Sequence, residues 1–262
     1  MSSPPPPLHV RAAFGVKEIE PELVEVGTQW RCGDLALRPA PNPAESSWVA
    51  QTLGDLHVAD LRVARPARAS DGRWVVGGWA AFRFVEGRPE PRYDEMVSAS
   101  LRLHHATGGL AVPRFLTSRD DVFAVADRVA AGVDEAPLNP ALGGRLFDVL
   151  TGSRKPLSLR PQVVHGDLFG NVLFAGASSP GIVDFTAFHR PAEWAAAVIV
   201  VDALAWGGAD PGILRRWGHL PEWPQALLHA LLFRLAVHAL HPHSDERSMR
   251  GLERAAHQIT EL

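Results

Sequence analysis

Cysteine is almost absent from this chain. Cys32 is the only one among 262 residues, which excludes an intramolecular disulfide and a cluster of thiolate metal ligands. An excess of charge is lacking too, since 26 Lys and Arg stand against 29 Asp and Glu, for a net charge of −3. This balance gives no reason to expect nucleic acid or an anionic membrane as a partner. Because only one cysteine is present, we expect a protein of the reducing cytoplasm.

Long hydrophobic runs are also missing. The longest apolar helix candidate, residues 194–206, contains Asp202 and is too short to span a bilayer. Residues 1–7 end in four prolines and have neither a basic region nor an apolar core, so we predict a disordered tail and no signal peptide. The sequence therefore predicts a soluble protein with no membrane partner.

The remaining sequence changes character once, near residue 86. Before it, strand candidates separated by turn residues lie at residues 22–26, 30–32, 35–38, 61–63, 74–76 and 79–85, and Pro43 opens a predicted helix. After it, helical spacing predominates at residues 93–107, 122–131, 142–150, 193–206 and 223–240. We predict an α+β, two-lobed protein, with a small β-rich lobe at residues 8–86 and a larger helical lobe at residues 87–262.

Acidic and amide side chains follow two short strands within residues 163–185. Asp167 and Asn171 occupy a tight loop after an apolar strand, and Asp184 ends a later one. Oxygen-bearing side chains on neighbouring strand ends can hold Mg²⁺ and orient a hydroxyl toward a nucleotide phosphate. Phosphoryl transfer is therefore the first hypothesis, although each residue could also be an ordinary turn residue.

The chain resembles the aminoglycoside phosphotransferase and choline kinase branch of the protein-kinase-like fold. The resemblance is carried by His165-Gly166-Asp167-Leu168, Asn171-Val172-Leu173-Phe174, Ile182-Val183-Asp184-Phe185, Leu101-Arg102-Leu103-His104 and Phe84-Val85-Glu86-Gly87. It implies the two-lobed kinase-like fold, with a nucleotide-binding first lobe and an acceptor-binding second lobe. It also implies ATP and Mg²⁺ as cofactors and a small molecule with a hydroxyl as acceptor.

Further segments resemble an uncharacterised actinobacterial group of phosphotransferase-like proteins within this class. They are Trp30-Arg31-Cys32-Gly33, Asp71-Gly72-Arg73-Trp74-Val75-Val76, Arg190-Pro191 with Trp194, Val200-Val201-Asp202-Ala203-Leu204 and the stretch at residues 235–242. This group has no assigned substrate, so the resemblance implies a fold more than an acceptor.

Three residues match the family's catalytic loop and metal ligands. By resemblance Asp167 is the catalytic residue that accepts the acceptor's hydroxyl proton, and Asn171 and Asp184 are the Mg²⁺ ligands. The separation of Asp167 and Asn171 is one residue shorter than the family usually has. Such a shortening either turns the amide away from the metal or removes one loop residue without consequence.

The nucleotide-binding residues match less closely. Arg38 stands where the family has a Lys that contacts the phosphates, and Glu45 is the acid that could pair with it. A guanidinium keeps the charge but is longer and planar, so the two are not equivalent. Gly27 and Thr28 match the loop that covers the phosphates. The alternatives are a solvent-facing strand end, a helix-N-terminal Glu and a simple hairpin turn.

The acceptor site is less defined. Acidic and aromatic residues lie where this fold builds its acceptor pocket, or else serve helix packing: Asp202, Asp210, Glu222, Trp206, Trp217 and Trp223. Glu193 is the acid that could brace the catalytic loop.

We predict a phosphotransferase acting on an aminoglycoside, amino-sugar or similar molecule. The alternative is a degenerate kinase-like protein that binds a nucleotide or metabolite without turnover; a protein kinase is the weakest interpretation.

Overall fold

A computed structural model describes residues 4–24 and 29–262 as two compact units. The first comprises the described residues up to Glu90 together with Gly170–Thr186, and the second Pro91–Phe169 and Ala187–Leu262. Strands predominate in the first and helices in the second, so the predicted α+β class is confirmed. The predicted boundary at residue 86 and the functions of the two lobes stay predictions.

The first unit is built on an antiparallel sheet whose strand order is β1-β2-β3-β7-β5, with β6 also paired to β7. The strands are β1 (Glu22–Leu23), β2 (Trp30–Cys32), β3 (Leu35–Pro39), β5 (Pro66–Ala67), β6 (Val75–Val76) and β7 (Trp79–Arg83). Alternate residues of β3 and β7 face an apolar core that also takes in Val10 of helix α1 (Leu8–Ala13). Helix α2 (Pro43–Asp55) begins at Asn42, whose side chain accepts hydrogen bonds from Ala44 N and Glu45 N.

A second, three-stranded sheet brings residues 170–186 into the first unit. Its order is β4-β10-β9, with β10 parallel to β4 and antiparallel to β9. The strands are β4 (Arg62–Val63), β9 (Val172–Leu173) and β10 (Gly181–Ile182). Gly87 passes so close to Phe174 that a Cβ there would lie 2.8 Å from the Phe174 carbonyl oxygen. Only glycine fits this approach, at a φ of +131°.

The second unit is helical, with one two-stranded sheet. Its helices are α3 (Tyr93–Thr107), α4 (Val122–Ala131), α5 (Gly144–Thr151), α6 (Ala192–Asp202), α7 (Ile213–Arg216), α8 (Trp223–Leu240) and α9 (Glu246–Thr260). The sheet pairs β8 (Gln162–His165) with β11 (Ala187–Arg190) in antiparallel register, His165 opposite Ala187. A π-helical turn, Ala203–Gly207, continues α6.

The core of the second unit lies between α6 and α8. Both helices are apolar on nearly every side, as expected of helices surrounded by protein. Trp194 of α6 and Phe233 of α8 pack with their ring centroids 5.2 Å apart. The ring centroid of Phe188 in β11 lies 5.7 Å from that of Trp194 and 5.6 Å from that of Phe233. Burial of three large rings in mutual contact contributes strongly to the stability of this core.

The helices predicted at residues 93–107, 122–131 and 223–240 are confirmed, and those at 142–150 and 193–206 begin or end within a few residues of the observed bounds. Helices α1 and α9 and strands β5 and β11 carry no sequence prediction. Of the predicted tail, Pro7 caps α1, because its carbonyl accepts hydrogen bonds from Val10 N and Arg11 N. Among the described residues, no helix is both long and apolar enough to cross a membrane.

Candidate active site

Asp167 lies in the loop that leaves β8 in the second unit. The C-terminal part of α3 packs along this strand, and two side chains tie them together: Thr107 Oγ1 donates to Val163 O at 2.7 Å, and Gln162 Nε2 donates to His104 O at 2.5 Å. Strand pairing with β11 supports β8 from the other side. The start of the loop is therefore held from two sides.

A buried histidine extends this support into the loop. His165 N donates to His104 Nε2 at 2.9 Å, so Nε2 carries no proton, and Nδ1–H faces Ser100 Oγ at 3.2 Å. Burial lowers the pKa of His104 to about 3, and the nearby His165 adds to the effect. Asp167 N in turn donates to His165 Nδ1 at 3.2 Å. The neutral His104 thus fixes the loop backbone up to Asp167.

The Asp167 carboxylate contacts an arginine that the sequence analysis did not single out. Arg234 Nη2 of α8 donates to Asp167 Oδ1 at 2.9 Å and to Asp202 Oδ2 at 2.5 Å, while Arg234 Nε donates to Asp202 Oδ1 at 2.7 Å. Burial raises the pKa of Asp202 to about 6, against the opposing charge of Arg234. Asp202 and Arg234 are thus a charged pair behind the loop, and the role of Glu193 stays a prediction.

The two predicted metal ligands lie in the first unit. Val183 N donates to Asn171 O at 3.1 Å, which places the backbone of Asn171 beside the residue that precedes Asp184. Asp184 has a φ of +51°, a left-handed conformation that Asp tolerates better than most residues. One carboxylate and one amide oxygen suit Mg²⁺ when phosphate and water oxygens complete its shell. The donor chemistry therefore fits the ion.

Arg38 forms an ion pair with Asp184. Its guanidinium donates to Asp184 Oδ1, and its Cζ lies 4.7 Å from the centroid of the Phe82 ring. Burial lowers the pKa of Arg38 to about 10, while the charge of Glu45 opposes the shift. Arg38 thus remains a cation at neutral pH. Arg38, Glu45 and Asp184 all line one cavity of about 150 Å³, and the pairing of Arg38 with Glu45 stays a prediction.

A second cavity of the first unit lies against the same ion pair. Its walls are mostly apolar and come from β3, β7, the following residues 84–87 and the segment 173–185. Its volume is about 30 Å³, room for about one water molecule. Arg38 and Asp184 are its charged wall residues apart from Arg83. The predicted Gly27 and Thr28 lie outside the described residues.

The predicted acceptor residues separate into two groups. Asp202 is 1% and Trp223 1% exposed, so neither faces a pocket; Trp223 Nε1 donates to Leu214 O at 2.9 Å instead. Asp210 does line a polar cavity of about 420 Å³ in the second unit. Trp223 therefore follows the alternative of helix packing, whereas the pocket position expected for Asp202 was wrong, because that side chain is buried in the core.

The polar cavity lies between the start of α3 and residues 207–210. Arg216 pairs with Asp94 at 2.9 Å and with Asp210 at 3.0 Å, and Trp217 Nε1 donates to Asp94 at 2.8 Å. Tyr93, which also lines the cavity, stacks on Phe169 with ring centroids 6.1 Å apart. Phe169 lies two residues after Asp167, so a wall residue of this cavity contacts the catalytic loop.

A sheet-rich unit and a helical unit are the two parts expected of the protein-kinase-like fold. An aminoglycoside phosphotransferase from Alicyclobacillus acidocaldarius is similar at 16% identity over 100% of this chain and 94% of that one, with a TM-score of 0.62. Spectinomycin phosphotransferase, in complex with ADP and spectinomycin, is similar at 12% identity over 96% and 95%, with a TM-score of 0.60. An amicoumacin kinase in complex with AMP-PNP, Ca²⁺ and Ami is similar at 12% identity over 92% of this chain and 88% of that one, with a TM-score of 0.58.

The family follows from the sequence itself. Residues 24–229 match the model of the phosphotransferase enzyme family known as APH, and the chain belongs to that family. No curated protein matches the chain. The resemblance to this family is therefore confirmed, whereas the similarity to an actinobacterial subgroup stays a prediction.

Proposed function

We propose that this protein is an ATP- and Mg²⁺-dependent phosphotransferase that acts on a hydroxyl of a small molecule. The observation that carries the proposal is the ion pair of Arg38 and Asp184 on the wall of an apolar cavity. It offers a cation for phosphates and a carboxylate for a metal at the edge of an apolar space. The complexes of neighbouring structures with ADP or AMP-PNP support the same proposal.

Each residue has a defined task in this proposal. Asp167 accepts the acceptor's hydroxyl proton, or orients that hydroxyl, while the γ-phosphoryl group transfers. Asn171 and Asp184 hold the divalent ion, which neutralises charge on the phosphates when bound. Arg38 contacts the phosphates, with Glu45 as its acidic neighbour. Gly27 and Thr28 cover the phosphates with backbone and hydroxyl donors.

We place the acceptor in the polar cavity of the second unit. Three carboxylates line it, from Asp94, Glu95 and Asp210, and two guanidiniums, from Arg92 and Arg216, pair with them. The net charge of this lining is therefore only slightly negative. Such a wall favours a hydroxyl-rich acceptor with few positive charges, such as an amino-sugar, over a polycationic aminoglycoside.

One observation favours the alternative of a degenerate, non-catalytic nucleotide or metabolite binder. Arg38 already neutralises Asp184, and the apolar cavity beside the pair holds only about 30 Å³. A nucleotide base needs far more room, so a base enters only if the walls move apart. A protein in which they do not move would keep the fold without the activity.

The deciding experiment combines binding and turnover. Calorimetry measures the binding of ATP with Mg²⁺, and ATP turnover is then followed against a panel of aminoglycosides, amino-sugars and choline-like alcohols. Asp167→Asn is the catalytic control and Asp148→Asn, an exposed acid of α5, the neutral one. The proposal requires binding and a turnover that only Asp167→Asn removes. Absence of ATP binding at millimolar Mg²⁺ contradicts it, and binding without Asp167-dependent turnover on every acceptor favours the degenerate alternative.

A further inference from the structure

Three charged side chains form a chain that runs from the core of the second unit to the catalytic loop. Arg234 is 5% and Asp202 1% exposed, and two hydrogen bonds join the guanidinium to the Asp202 carboxylate. Such a two-point contact fixes the plane of the guanidinium as well as its position. The Asp202 side chain thus determines where the remaining N–H groups of Arg234 point.

The Nη2 atom of Arg234 then reaches beyond Asp202. It donates to Asp167 Oδ1 at 2.9 Å, and the Asp167 side chain is 37% exposed. The third member of the chain is therefore the residue that leaves the interior. Arg234 therefore joins a buried carboxylate to a partly exposed one.

The helices that carry Arg234 and Asp202 leave this chain little freedom. Asp202 is the last residue of α6, and Arg234 follows Phe233, which packs against Trp194 of α6. The neighbouring carboxylates of Asp202 and Asp167 raise the pKa of Arg234, so the guanidinium keeps its proton. Both the positions and the charge of the donor are thereby fixed before any ligand arrives.

We propose that Arg234, fixed by Asp202, is a positioning residue that holds the Asp167 carboxylate through Oδ1 in the orientation in which it meets the acceptor hydroxyl. This inference rests on the proposed function for the role of Asp167. One tethered oxygen stops the carboxylate from rotating, and orientation of a reacting group contributes strongly to rate. Arg234 acts through Asp167 and does not itself touch the reacting atoms.

The test compares Arg234→Met and Arg234→Lys with a matched ion pair elsewhere in the same unit. Arg190 Nε donates to Asp127 Oδ1 at 2.7 Å and Nη2 to Asp127 O at 3.0 Å, so Arg190→Met also removes a partly buried guanidinium. Crystal structures of the variants give the orientation of Asp167. Hydrolysis of ATP with Mg²⁺, with water as acceptor, gives kcat and KM.

We expect Arg234→Met to lower kcat about 100-fold with little change in KM for ATP, as for a displaced catalytic group. In its crystal structure the Asp167 carboxylate should leave its present orientation. Arg234→Lys should restore part of kcat, since an ammonium can still donate to Asp167, although not in the same fork. Arg190→Met should keep both kcat and the orientation of Asp167.

Two results would overturn the inference: Asp167 unmoved in the Arg234 variants, or a kcat loss no greater than that of Arg190→Met. If Arg234→Met does not fold, Arg234→Lys and Asp202→Asn answer the same question, because Asp202→Asn loosens the guanidinium without removing it. Calorimetry of the unaltered protein separates the two proposals. Should it bind no ATP with Mg²⁺, the proposed function fails, and the orientation of Asp167 in the variant structures still decides whether Arg234 positions it.

Discussion

Arg38 and Asp184 form an ion pair within the first unit, although the family resemblance assigns one to phosphate and the other to Mg²⁺. The pair joins the third strand of the sheet to the residue that follows Ile182-Val183. An ion pair of this kind competes with a metal for the carboxylate and with a phosphate for the guanidinium. Binding of nucleotide and metal therefore has to exchange one set of contacts for another.

Removal of the guanidinium should affect nucleotide and metal in opposite directions. In Arg38→Met the phosphates lose a charge-assisted contact, which is expected to weaken ATP binding about 10-fold or more. Asp184 loses its competing cation at the same time, so Mn²⁺ added without nucleotide should bind more tightly. Calorimetry with ATP and electron paramagnetic resonance with Mn²⁺ measure the two effects.

Arg31→Met is the matched control for this variant. Arg31 also pairs with a carboxylate, Glu86 at 3.2 Å, and its Cζ lies 4.2 Å from the centroid of the Phe84 ring, but its side chain is 38% exposed. Arg31→Met should leave the affinities for ATP and for Mn²⁺ unchanged. Equal effects of the two variants, or weaker Mn²⁺ binding in Arg38→Met, would show that Arg38 does not compete with metal at Asp184.

Asp184→Asn should remove the contribution of metal to nucleotide binding. Asn tolerates the left-handed conformation at this position, so the fold should persist. An amide is a poorer Mg²⁺ ligand than a carboxylate. The affinity for AMP-PNP, measured with Mg²⁺ and with EDTA, should differ for the unaltered protein and be nearly the same for the variant.

Asp60→Asn tests the backbone effect separately. Asp60 also has a positive φ, of +58°, and is exposed. It should keep the full dependence of AMP-PNP affinity on Mg²⁺. If Asp184→Asn also kept the dependence of AMP-PNP affinity on Mg²⁺, the metal would be held by other residues.

Local sequence patterns revealed the parts of this protein that depend on local physics. The 3.6-residue spacing of apolar residues predicted most helices, and the His-Gly-Asp sequence placed Asp167 in a loop after a strand. The sequence of helix α9 carries a comparable helix signal, with Asp245 as an N-cap and Met249, Leu252 and Ile259 on one face. Its residues could have been predicted by the same rule.

Partners distant in sequence could not be found in this way. Arg234 lies in a helix that is apolar on nearly every side, 67 residues after Asp167, and no spacing rule connects the two. Arg38 was recognised by its place on a strand, but its contact with Asp184 depends on how residues 170–186 join the first unit. Burial also decided against Asp202 and Trp223 as pocket residues, because the sequence pattern of a pocket acid and a core acid is the same.

The neutral state of His104 predicts a pH dependence of stability. Its pKa is about 3 in the folded protein against 6.5 unfolded, so below pH 6.5 only the unfolded chain takes up the proton. The unfolding free energy therefore falls as the pH is lowered. For this one group the loss from pH 7 to pH 5 is about 2 kcal/mol. Chemical denaturation at the two pH values measures it.

His104→Gln removes the titrating group and keeps an acceptor for His165 N. Between pH 7 and pH 5 the unfolding free energy of the variant should fall by about 2 kcal/mol less than that of the unaltered protein. The neighbouring exposed His105, replaced by Gln, should leave the pH dependence unchanged. Identical pH dependence in all three proteins would mean that His104 takes up a proton in the folded state.

Gly166 of the His-Gly-Asp sequence is required for packing more than for backbone freedom. A Cβ at this position would collide with Cδ2 of Phe188 and lie 2.7 Å from its Cε2. Phe188 has little room to move, since it packs against Trp194 and Phe233. Gly166→Ala should therefore lower the free energy of unfolding by about 1–3 kcal/mol, the cost of overpacking a core.

Gly109→Ala gives the reference for Gly166→Ala, because a Cβ at residue 109 meets no atom within 4 Å. Its unfolding free energy should change by no more than about 0.5 kcal/mol. Denaturant titration of both variants measures the difference. Displacement of the Phe188 ring would also move the loop that bears Asp167, so Gly166→Ala should lose ATP turnover beyond its loss of stability. A fully stable and active Gly166→Ala would show that the aromatic cluster can rearrange and that it does not fix the catalytic loop.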